Sequence, residues 1–487
     1  MNSKIFTNNK YLFATGLLIV SLIIFLFPFL SLPYFWDEAW VYGKGMRTMA
    51  INGTGLLSDA LPVEISRGHP LLFYFLGSAW LKLFGNTIFA SHAFVITVSV
   101  IFVLVVYKLC ADFLSKRPAF FVVTLLMLQP IFLAQSCLVL PEMMLAMWTI
   151  LCLWSFYSGK KLLYILFGAL LILTKETGIV CILAIGLNEF LFDLFSKQSS
   201  GEKARSLLRV FKNYKRYLLI CVPVIIASIH FFIQKSMYGW FFFPEHVGYI
   251  SFNWAELSQK FVKYFSYLFI FDGRNALFFG GLIALVVMFI KRRKAENVSA
   301  SESTFRVLVC LALFIFLFLA FSSANFYSNR YLMSLIAPLI ILSVYLIDSI
   351  LWKPVLKWTA FTVLAVTGIY YSISTRTNSD HNLGYTDCVK LYKKAIDYCV
   401  KEKLNEKKTM AGFLMNNALT DTLAGYVDKK GVFVSADSKF DPTVELCIFS
   451  SIEQMPYSDS IKANVPMKPL KNFSSKNVTI EIFEIIR

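Results

Sequence analysis

Long uninterrupted apolar runs recur along this chain of 487 residues and restrict the folds that it can adopt. A bilayer offers no water to backbone amides, so an apolar run of about 20 residues lies in lipid as a helix, which satisfies its own amides. We count about eleven such runs. They lie at about 11–32, 88–110, 118–133, 143–156, 162–173, 178–195, 217–233, 275–290, 305–321, 331–351 and 358–373. The sequence therefore predicts a polytopic α-helical membrane protein.

Basic residues predict the orientation of these helices, because Lys and Arg in short loops are retained on the cytoplasmic side. Here they fall in alternate loops: Lys116 and Arg117; Lys160 and Lys161; Lys197, Lys203, Arg205, Arg209, Lys212, Lys215 and Arg216; Lys291, Arg292, Arg293 and Lys294; Lys353 and Lys357. An odd number of spans then places the amino terminus inside and the tail outside. The net charge of +17 is explained by these loops beside anionic headgroups, so we expect membrane lipids and no nucleic acid as partners.

Two segments outside the bilayer are too long to be simple connections. The first outer loop, 32–87, contains two stretches with the spacing of amphipathic helices, at 38–50 and 71–84. The tail, 375–487, alternates a predicted helix at 386–404 with β-rich runs at 410–414, 432–435, 444–449 and 478–485. We therefore expect a transmembrane module over 1–374 and a small extramembrane α/β domain over 375–487. Cys388, Cys399 and Cys447 lie in that tail, where a disulfide is permitted but not required.

The acidic pair Asp37 and Glu38 stands among aromatic residues where the first apolar run ends. Partial desolvation and a like-charged neighbour both raise the pKa of a carboxylate, which suits it to accept a proton near neutral pH. Asp37 is accordingly our candidate base. The alternative is that both residues begin a surface helix and complement its dipole. Glu142, after Pro141 in the next outer loop, is a second candidate with the same alternative.

Four basic residues in the outer segments are candidates for binding a phosphate. Arg67 and His69 precede an amphipathic stretch, Lys175 interrupts an apolar run beside Glu176, and Arg330 begins the tenth run. For Arg67 and His69 the alternative is an ordinary solvated loop. Lys175 and Glu176 could equally mark a tight turn, and Arg330 with Tyr331 could be an interfacial anchor.

Several short motifs resemble those of one family of membrane enzymes. They are Tyr34-Phe35-Trp36-Asp37-Glu38-Ala39-Trp40, Gly68-His69-Pro70-Leu71, Leu173-Thr174-Lys175-Glu176-Thr177-Gly178, Phe243-Pro244-Glu245-His246 and Asn329-Arg330-Tyr331-Leu332. Their order and sidedness resemble the GT-C superfamily of integral-membrane glycosyltransferases, especially the protein O-mannosyltransferase and lipid A aminoarabinose transferase branches. The resemblance covers roughly the first 340 residues. It implies a GT-C fold, with the catalytic site in the first outer loop.

The resemblance also implies roles for particular residues. Asp37 corresponds to the catalytic base, with Glu38 supporting it and Glu142 as the counterpart of a further acidic residue. The donor phosphate would be bound by Lys175, Arg330, Arg67 and His69. The donor or acceptor pocket would include Trp36, Tyr34, Glu245, His246 and Tyr331. A divalent metal, if one is used, would be held by Asp37 and Glu142.

The implied reaction is an inverting transfer of a sugar from a polyprenyl-phosphate donor to a hydroxyl group of lipid A, another glycan or a protein. We expect it on the periplasmic face of a bacterial inner membrane. The sequence has no phosphate-binding loop, dinucleotide fingerprint or zinc-type Cys/His spacing, which argues against ATP- or nucleotide-dependent chemistry. The main alternative is a transporter or flippase of a lipid-linked saccharide, which would favour paired broken helices in two related halves; no such repeat is evident. A scaffold without catalysis is a third hypothesis.

Overall fold

Helices make up most of the computed structural model, which describes residues 2–195, 210–293, 301–453, 455, 458–476 and 478–486. In chain order the helices are α1 (Asn2–Leu26), α2 (Asp37–Trp40), α3 (Tyr42–Asn52), α4 (Val63–Ser66), α5 (Leu72–Phe84), α6 (Ile88–Phe113), α7 (Lys116–Met127), α8 (Pro130–Gln135), α9 (Glu142–Tyr157), α10 (Lys161–Thr174), α11 (Ile179–Phe195), α12 (Tyr214–Tyr238), α13 (Pro244–Gly248), α14 (Trp254–Phe269), α15 (Arg274–Arg293), α16 (Glu302–Ser323), α17 (Met333–Ile350), α18 (Pro354–Ser374), α19 (Tyr385–Lys401), α20 (Phe413–Thr420) and α21 (Ser458–Asn464).

The expected helical membrane bundle is confirmed. Among the described residues, seven helical segments are long and apolar enough to cross a bilayer: Lys10–Phe29, Ile88–Phe113, Glu176–Phe195, Tyr214–Tyr238, Arg274–Lys291, Glu302–Ser323 and Asn329–Ile350. The four other apolar runs are helical as well. They form the broken pair α7 and α8, the short helices α9 and α10, and α18.

Helices α9 and α10 are shorter than a full membrane crossing. They contain 16 and 14 residues, or about 24 and 21 Å at a rise of 1.5 Å per residue, against about 30 Å for the hydrocarbon core. The first residue of α9 is Glu142, and Lys175 immediately follows α10. The two helices therefore bring a carboxylate and an ammonium group to the same level of the bundle, at one end.

Opposite ends of the bundle differ in their charges. Arg117 at the start of α7 and Lys357 near the start of α18 both contact Asp348 near the end of α17, each at 2.9 Å. Arg216 and Arg306 both pair with Glu189, at 2.9 and 3.0 Å. These contacts gather the predicted cytoplasmic loops at one end of the bundle. The first outer loop and the tail lie at the other end.

The tail contains a five-stranded sheet in the order β2-β1-β3-β5-β4. The strands are β1 (Thr409–Ala411), β2 (Ala436–Asp437), β3 (Leu446–Ser450), β4 (Met467–Ser475) and β5 (Val478–Ile485). Strand β1 runs parallel to β2 and β3, whereas β5 is antiparallel to β3 and β4.

Helix α19 begins one residue before the helix expected at 386, and the strand expected at 432–435 forms only at Ala436. The cysteines Cys388, Cys399 and Cys447 are buried free thiols.

The tail domain lies directly on the first outer loop. The backbone amide of Tyr34 donates to the carbonyl oxygen of Ala424 at 3.0 Å, and Arg47 Nη1 donates to Leu423 at 2.7 Å. Lys44 pairs with Asp421 at 2.7 Å. These contacts fix the segment that contains Asp37 between the helical bundle and the sheet.

The bend before α5 depends on two residues with left-handed backbones, Arg67 (φ +54°) and Gly68 (φ +67°). A Cβ atom on Gly68 would lie 2.8 Å from Cβ of Phe243 and 2.9 Å from the Trp240 ring. Gly68→Ala should therefore destabilise the protein by about 1–3 kcal/mol, measured as a lower melting temperature in detergent. Gly248→Ala is the control, because nothing lies within 4 Å of that added Cβ. Equal melting temperatures for the two variants would contradict this account of the bend.

Candidate active site

Asp37 begins α2 and lines a cavity between the bundle and the tail domain. The indole Nε1 of Trp40 donates to its Oδ1 atom at 3.0 Å, and Nη2 of Arg330 donates to Oδ2. Its side chain is 17% exposed. The preceding residue, Trp36, has a φ of +50°, a strained backbone for a residue other than glycine. The carboxylate is thus fixed in direction while it still faces the cavity.

Arg330 is the central cation of the site. It lies in a 3₁₀ turn, Asn329–Leu332, directly before α17, and its side chain is 5% exposed. Nη2 binds Asp37, Nη1 binds Asp380, and Nε lies 3.4 Å from Oε1 of Glu142. Three carboxylates from three separate segments therefore surround one guanidinium group.

Glu142 and Lys175 form a buried ion pair next to Arg330. Lys175 Nζ lies 3.1 Å from Oε1 of Glu142 and 4.0 Å from the centre of the Tyr331 ring. The exposed fractions of the two residues are 1% for Glu142 and 6% for Lys175. The structure thus brings together Glu142, Lys175, Arg330 and Tyr331, which are far apart in sequence.

A second group of expected residues forms the facing wall of the cavity. The Arg67 guanidinium lies between the rings of Trp40 and Phe243, at 5.3 and 4.9 Å, and pairs with Glu245. A hydrogen bond from the Tyr249 hydroxyl, and then the contact with Arg67, lower the pKa of the Glu245 carboxyl. Arg67 is therefore already neutralised by a carboxylate.

His69 and His246 lie side by side in this wall, with ring centres 4.7 Å apart. His69 Nδ1 is 3.2 Å from Oε2 of Glu176. Burial, and then the proximity of His69, lower the pKa of His246 to about 4. His246 is consequently neutral at pH 7.

Two expected site residues, Tyr34 and Glu38, line neither of the two cavities found at this site. Tyr34 is buried and its hydroxyl lies 2.7 Å from the Ser91 hydroxyl. Glu38 is 1% exposed and accepts hydrogen bonds from the amides of Phe35 and Val139, at 2.9 and 2.5 Å. These contacts fasten the loop beneath Asp37, so their geometry favours a positioning role over contact with a substrate.

His92 shows how tightly Glu38 is held. Its Nδ1 atom faces the carbonyl oxygen of Leu30 at 2.8 Å, and its Nε2 atom faces Oε1 of Glu38 at 3.1 Å. His92 therefore ties the Glu38 carboxylate to the backbone of Leu30.

Two adjoining cavities open at this site. The polar cavity, of about 430 Å³, is lined by Asp37, Arg67 and Arg330 and by residues 378–381. The apolar cavity, of about 290 Å³, is lined by Glu142 and Lys175 and by aliphatic and aromatic side chains. Both are lined by His69, His246, Tyr249, Phe326 and Tyr331. Histidine and aromatic side chains therefore form the junction, with Arg330 on the polar side and Glu142 and Lys175 on the apolar side. Each cavity is near the size range of small-molecule sites.

The residues that could hold a metal differ from those expected. The cation between Asp37 and Glu142 is the Arg330 guanidinium. Within the described part of the chain, His69, Glu176 and His246 have potential ligand atoms that all lie within 4.8 Å of one another. Two imidazoles and one carboxylate form a ligand set that zinc accepts, with room for a further ligand.

Sequence reasoning missed Asp380 and its neighbours. Asn378, Ser379, Asp380 and His381 line the polar cavity from the segment that joins α18 to α19. That segment is a run of polar residues after the last apolar run, and its composition is that of an ordinary linker. The sequence offers one signal, an acidic residue a few positions after the end of an apolar run, and that signal does not point to Arg330.

Comparison with known proteins agrees with this architecture. Residues 68–231, about a third of the chain, match the family model described as dolichyl-phosphate-mannose-protein mannosyltransferase. In structure the chain is similar to ArnT from Cupriavidus metallidurans bound to undecaprenyl phosphate, with a TM-score of 0.54 and 14% identity over 97% of this chain and 98% of that one. The chain has the GT-C fold. Apo ArnT gives a TM-score of 0.53 at 15% identity, covering 96% and 98% of the two chains.

A second GT-C structure supports the same fold. The oligosaccharyltransferase AglB from Archaeoglobus fulgidus, in complex with an inhibitory peptide and a dolichol-phosphate, gives a TM-score of 0.50 at 13% identity, covering 99% of this chain and 74% of that one. No sequence match to a curated protein was found. The GT-C fold expected from the motifs is confirmed, and the family match and the fold both support a membrane glycosyltransferase.

Breaking the buried pair of this GT-C site should cost stability. Glu142→Gln removes the carboxylate that neutralises Lys175, and Lys175→Met leaves Glu142 with only the more distant Arg330 Nε as a cationic partner among the described residues. Each should lower the free energy of unfolding by about 3–5 kcal/mol. The double variant should lose less than the sum of the two, as measured by denaturant titration in detergent. The exposed pair Lys108 and Asp112 is the control, with an expected coupling below about 1 kcal/mol. Additive losses at Glu142 and Lys175 would mean that the two are not coupled.

Proposed function

We propose that the protein is an inverting glycosyltransferase that moves a sugar from a polyprenyl-phosphate donor to a hydroxyl acceptor. The observation that carries this proposal is the position of Asp37. Its carboxylate lines the polar cavity and is bonded to Arg330, whose Nε lies 3.4 Å from Glu142, and Glu142 and Lys175 line the adjoining apolar cavity. The proposed base and the proposed phosphate-binding cations therefore lie close together where the two cavities adjoin, which supports a reaction at that position.

The apolar cavity suits the isoprenoid part of the donor. Its lining includes Leu145, Ile179, Phe242, Phe318 and Phe321, and its charged end contains Lys175. The similar structures are those of ArnT bound to undecaprenyl phosphate and of AglB in complex with a dolichol-phosphate, and the matching family is dolichyl-phosphate-mannose-protein mannosyltransferase. These similarities support a polyprenyl carrier here. The carrier phosphate would meet Lys175 and Arg330, with Arg67 and His69 nearer the sugar.

The proposed chemistry is a single displacement. Asp37 accepts the proton of the acceptor hydroxyl as that oxygen attacks the anomeric carbon from the face opposite the phosphate. The bond between the anomeric carbon and the phosphate oxygen breaks, and the phosphate leaves with the bonding electrons. Lys175 and Arg330 stabilise the developing negative charge in a site of low dielectric. Trp36, Glu245, His246 and Tyr331 would shape the sugar and acceptor pocket around this step.

We further propose that the site faces the outside of a bacterial inner membrane. Basic side chains of the short loops meet at the end of the bundle opposite Asp37, which supports this orientation. The unit boundary proposed at residue 374 coincides with the end of α18. The acceptor would be a hydroxyl of lipid A, another glycan or a protein. It would approach through the polar cavity, which the segment leading into the tail domain partly walls.

Replacing the proposed base tests this function. Asp37→Asn should lower the turnover of sugar transfer by about 10²–10⁴-fold, because the amide cannot accept the proton. The assay is transfer from a panel of polyprenyl-phosphate sugars by the protein reconstituted in liposomes, at equal amounts of folded protein. Asp387→Asn is the matched control, since that aspartate pairs with Arg376 and Lys476 in the tail. Undiminished turnover in Asp37→Asn would overturn its assignment as the base, and no transfer by the native chain would favour a transporter.

Narrowing the apolar cavity tests the route of the carrier. Ile179 lines that cavity at the start of α11, so Ile179→Trp should raise the donor KM by about tenfold while kcat changes little. Leu183→Trp is the control, because Leu183 lies one turn further along α11, is also exposed and does not line the cavity. Donor titrations of the two variants give the comparison. Equal KM values would argue that the carrier binds elsewhere.

A further inference from the structure

The segment between α18 and α19 contains Asp380, whose carboxylate lies at the centre of the site. Nη1 of Arg330 donates to Oδ2 of Asp380, whose side chain is 12% exposed. The backbone carbonyl of the same residue accepts from Nε2 of Gln135 at 2.7 Å. Asp380 therefore ties the linker to both α8 and the turn before α17.

The ionisable groups around Arg330 together carry more negative than positive charge, which disfavours the binding of another anion. Three carboxylates, those of Asp37, Glu142 and Asp380, surround two cations, Arg330 and Lys175. These five groups together carry a net charge of −1 when all are ionised. A carrier phosphate would add at least one more negative charge to a largely buried site, where repulsion between like charges is poorly screened. A phosphate that binds Arg330 therefore competes with these carboxylates for its donor atoms.

The other contacts of the three carboxylates indicate which one moves. Asp37 keeps a hydrogen bond from the Trp40 indole, and Glu142 keeps its pair with Lys175. For the Asp380 carboxylate, Arg330 is the one hydrogen-bonding partner found among the described residues. Asp380 also lies between two helices, where a change of backbone angles breaks no helical hydrogen bonds. Its departure is the least costly of the three.

We propose that Asp380 is a displaceable internal ligand, which occupies on Arg330 the place that the donor phosphate takes. This inference rests on the proposed function, because it assumes a donor with an anionic phosphate. Displacement removes the bond between the linker and Arg330, where residues 378–381 wall the polar cavity, and leaves the bond from Gln135 to the Asp380 carbonyl oxygen. Donor binding thereby reshapes the acceptor side of the cavity, and the acceptor binds second.

Binding of the carrier itself tests this inference. Undecaprenyl phosphate is titrated in detergent against the native protein, Asp380→Asn and Asp387→Asn. Removing the competing charge should tighten binding to Asp380→Asn by about three- to tenfold, and Asp387→Asn should match the native protein. The uncharged alcohol undecaprenol should bind native protein and Asp380→Asn equally, because it has no anion to compete. Unchanged or weaker binding of undecaprenyl phosphate to Asp380→Asn would overturn the inference.

A second measurement requires no variant at Asp380. Hydrogen exchange of the amides in 375–384 of the native protein should become faster when undecaprenyl phosphate is added and stay unchanged with undecaprenol. Slower or equal exchange would overturn the inference, whatever the folding of Asp380→Asn. Sugar transfer is measured separately on the native protein. If that protein binds the carrier phosphate but transfers no sugar, the proposed function fails, while the binding and exchange experiments still decide whether Asp380 is displaced.

Discussion

The guanidinium group of Arg330 is the interaction on which the site depends. It joins the turn before α17 to Asp37 from the first outer loop, to Glu142 at the start of α9 and to Asp380 from the linker. A buried charge of this kind is tolerated because each of its donor atoms faces a carboxylate oxygen. One side chain thus holds four segments that are distant in sequence. The two cavities adjoin at the place where these four segments meet.

A layer of hydrogen-bonded contacts supports this centre. Glu38, His92 and the amide of Val139 fasten the loop below Asp37, while Tyr34 and Arg47 connect the same loop to the tail domain. Asp37 itself lies on a four-residue helix that would have little stability alone. Its position is therefore set by tertiary contacts with both the bundle and the sheet.

Much of this arrangement could be predicted from the sequence, since lipid permits few structures. Each apolar run is helical, and the candidate residues Asp37, Glu142, Lys175 and Arg330 do meet, because each lies next to the end of a helix at the same end of the bundle. Their roles remain predictions. Asp380 could not be found, because only the tertiary path of a polar linker brings it to Arg330. Strand β4 was missed because it is an edge strand with Pro469 near a bulge and with several polar residues, so it lacks the usual apolar alternation.

The shortness of α9 and α10 bears on how readily water would hydrolyse a glycosyl phosphate bound at this site. The two helices contain 16 and 14 residues and place Glu142 and Lys175 where their exposed fractions are only 1% and 6%. A glycosyl phosphate bound to this pair, as proposed, would lie away from bulk water. Spontaneous hydrolysis, the wasteful competitor of transfer, would then find few water molecules in line with the anomeric carbon, and the proposed acceptor would have to enter the polar cavity to react.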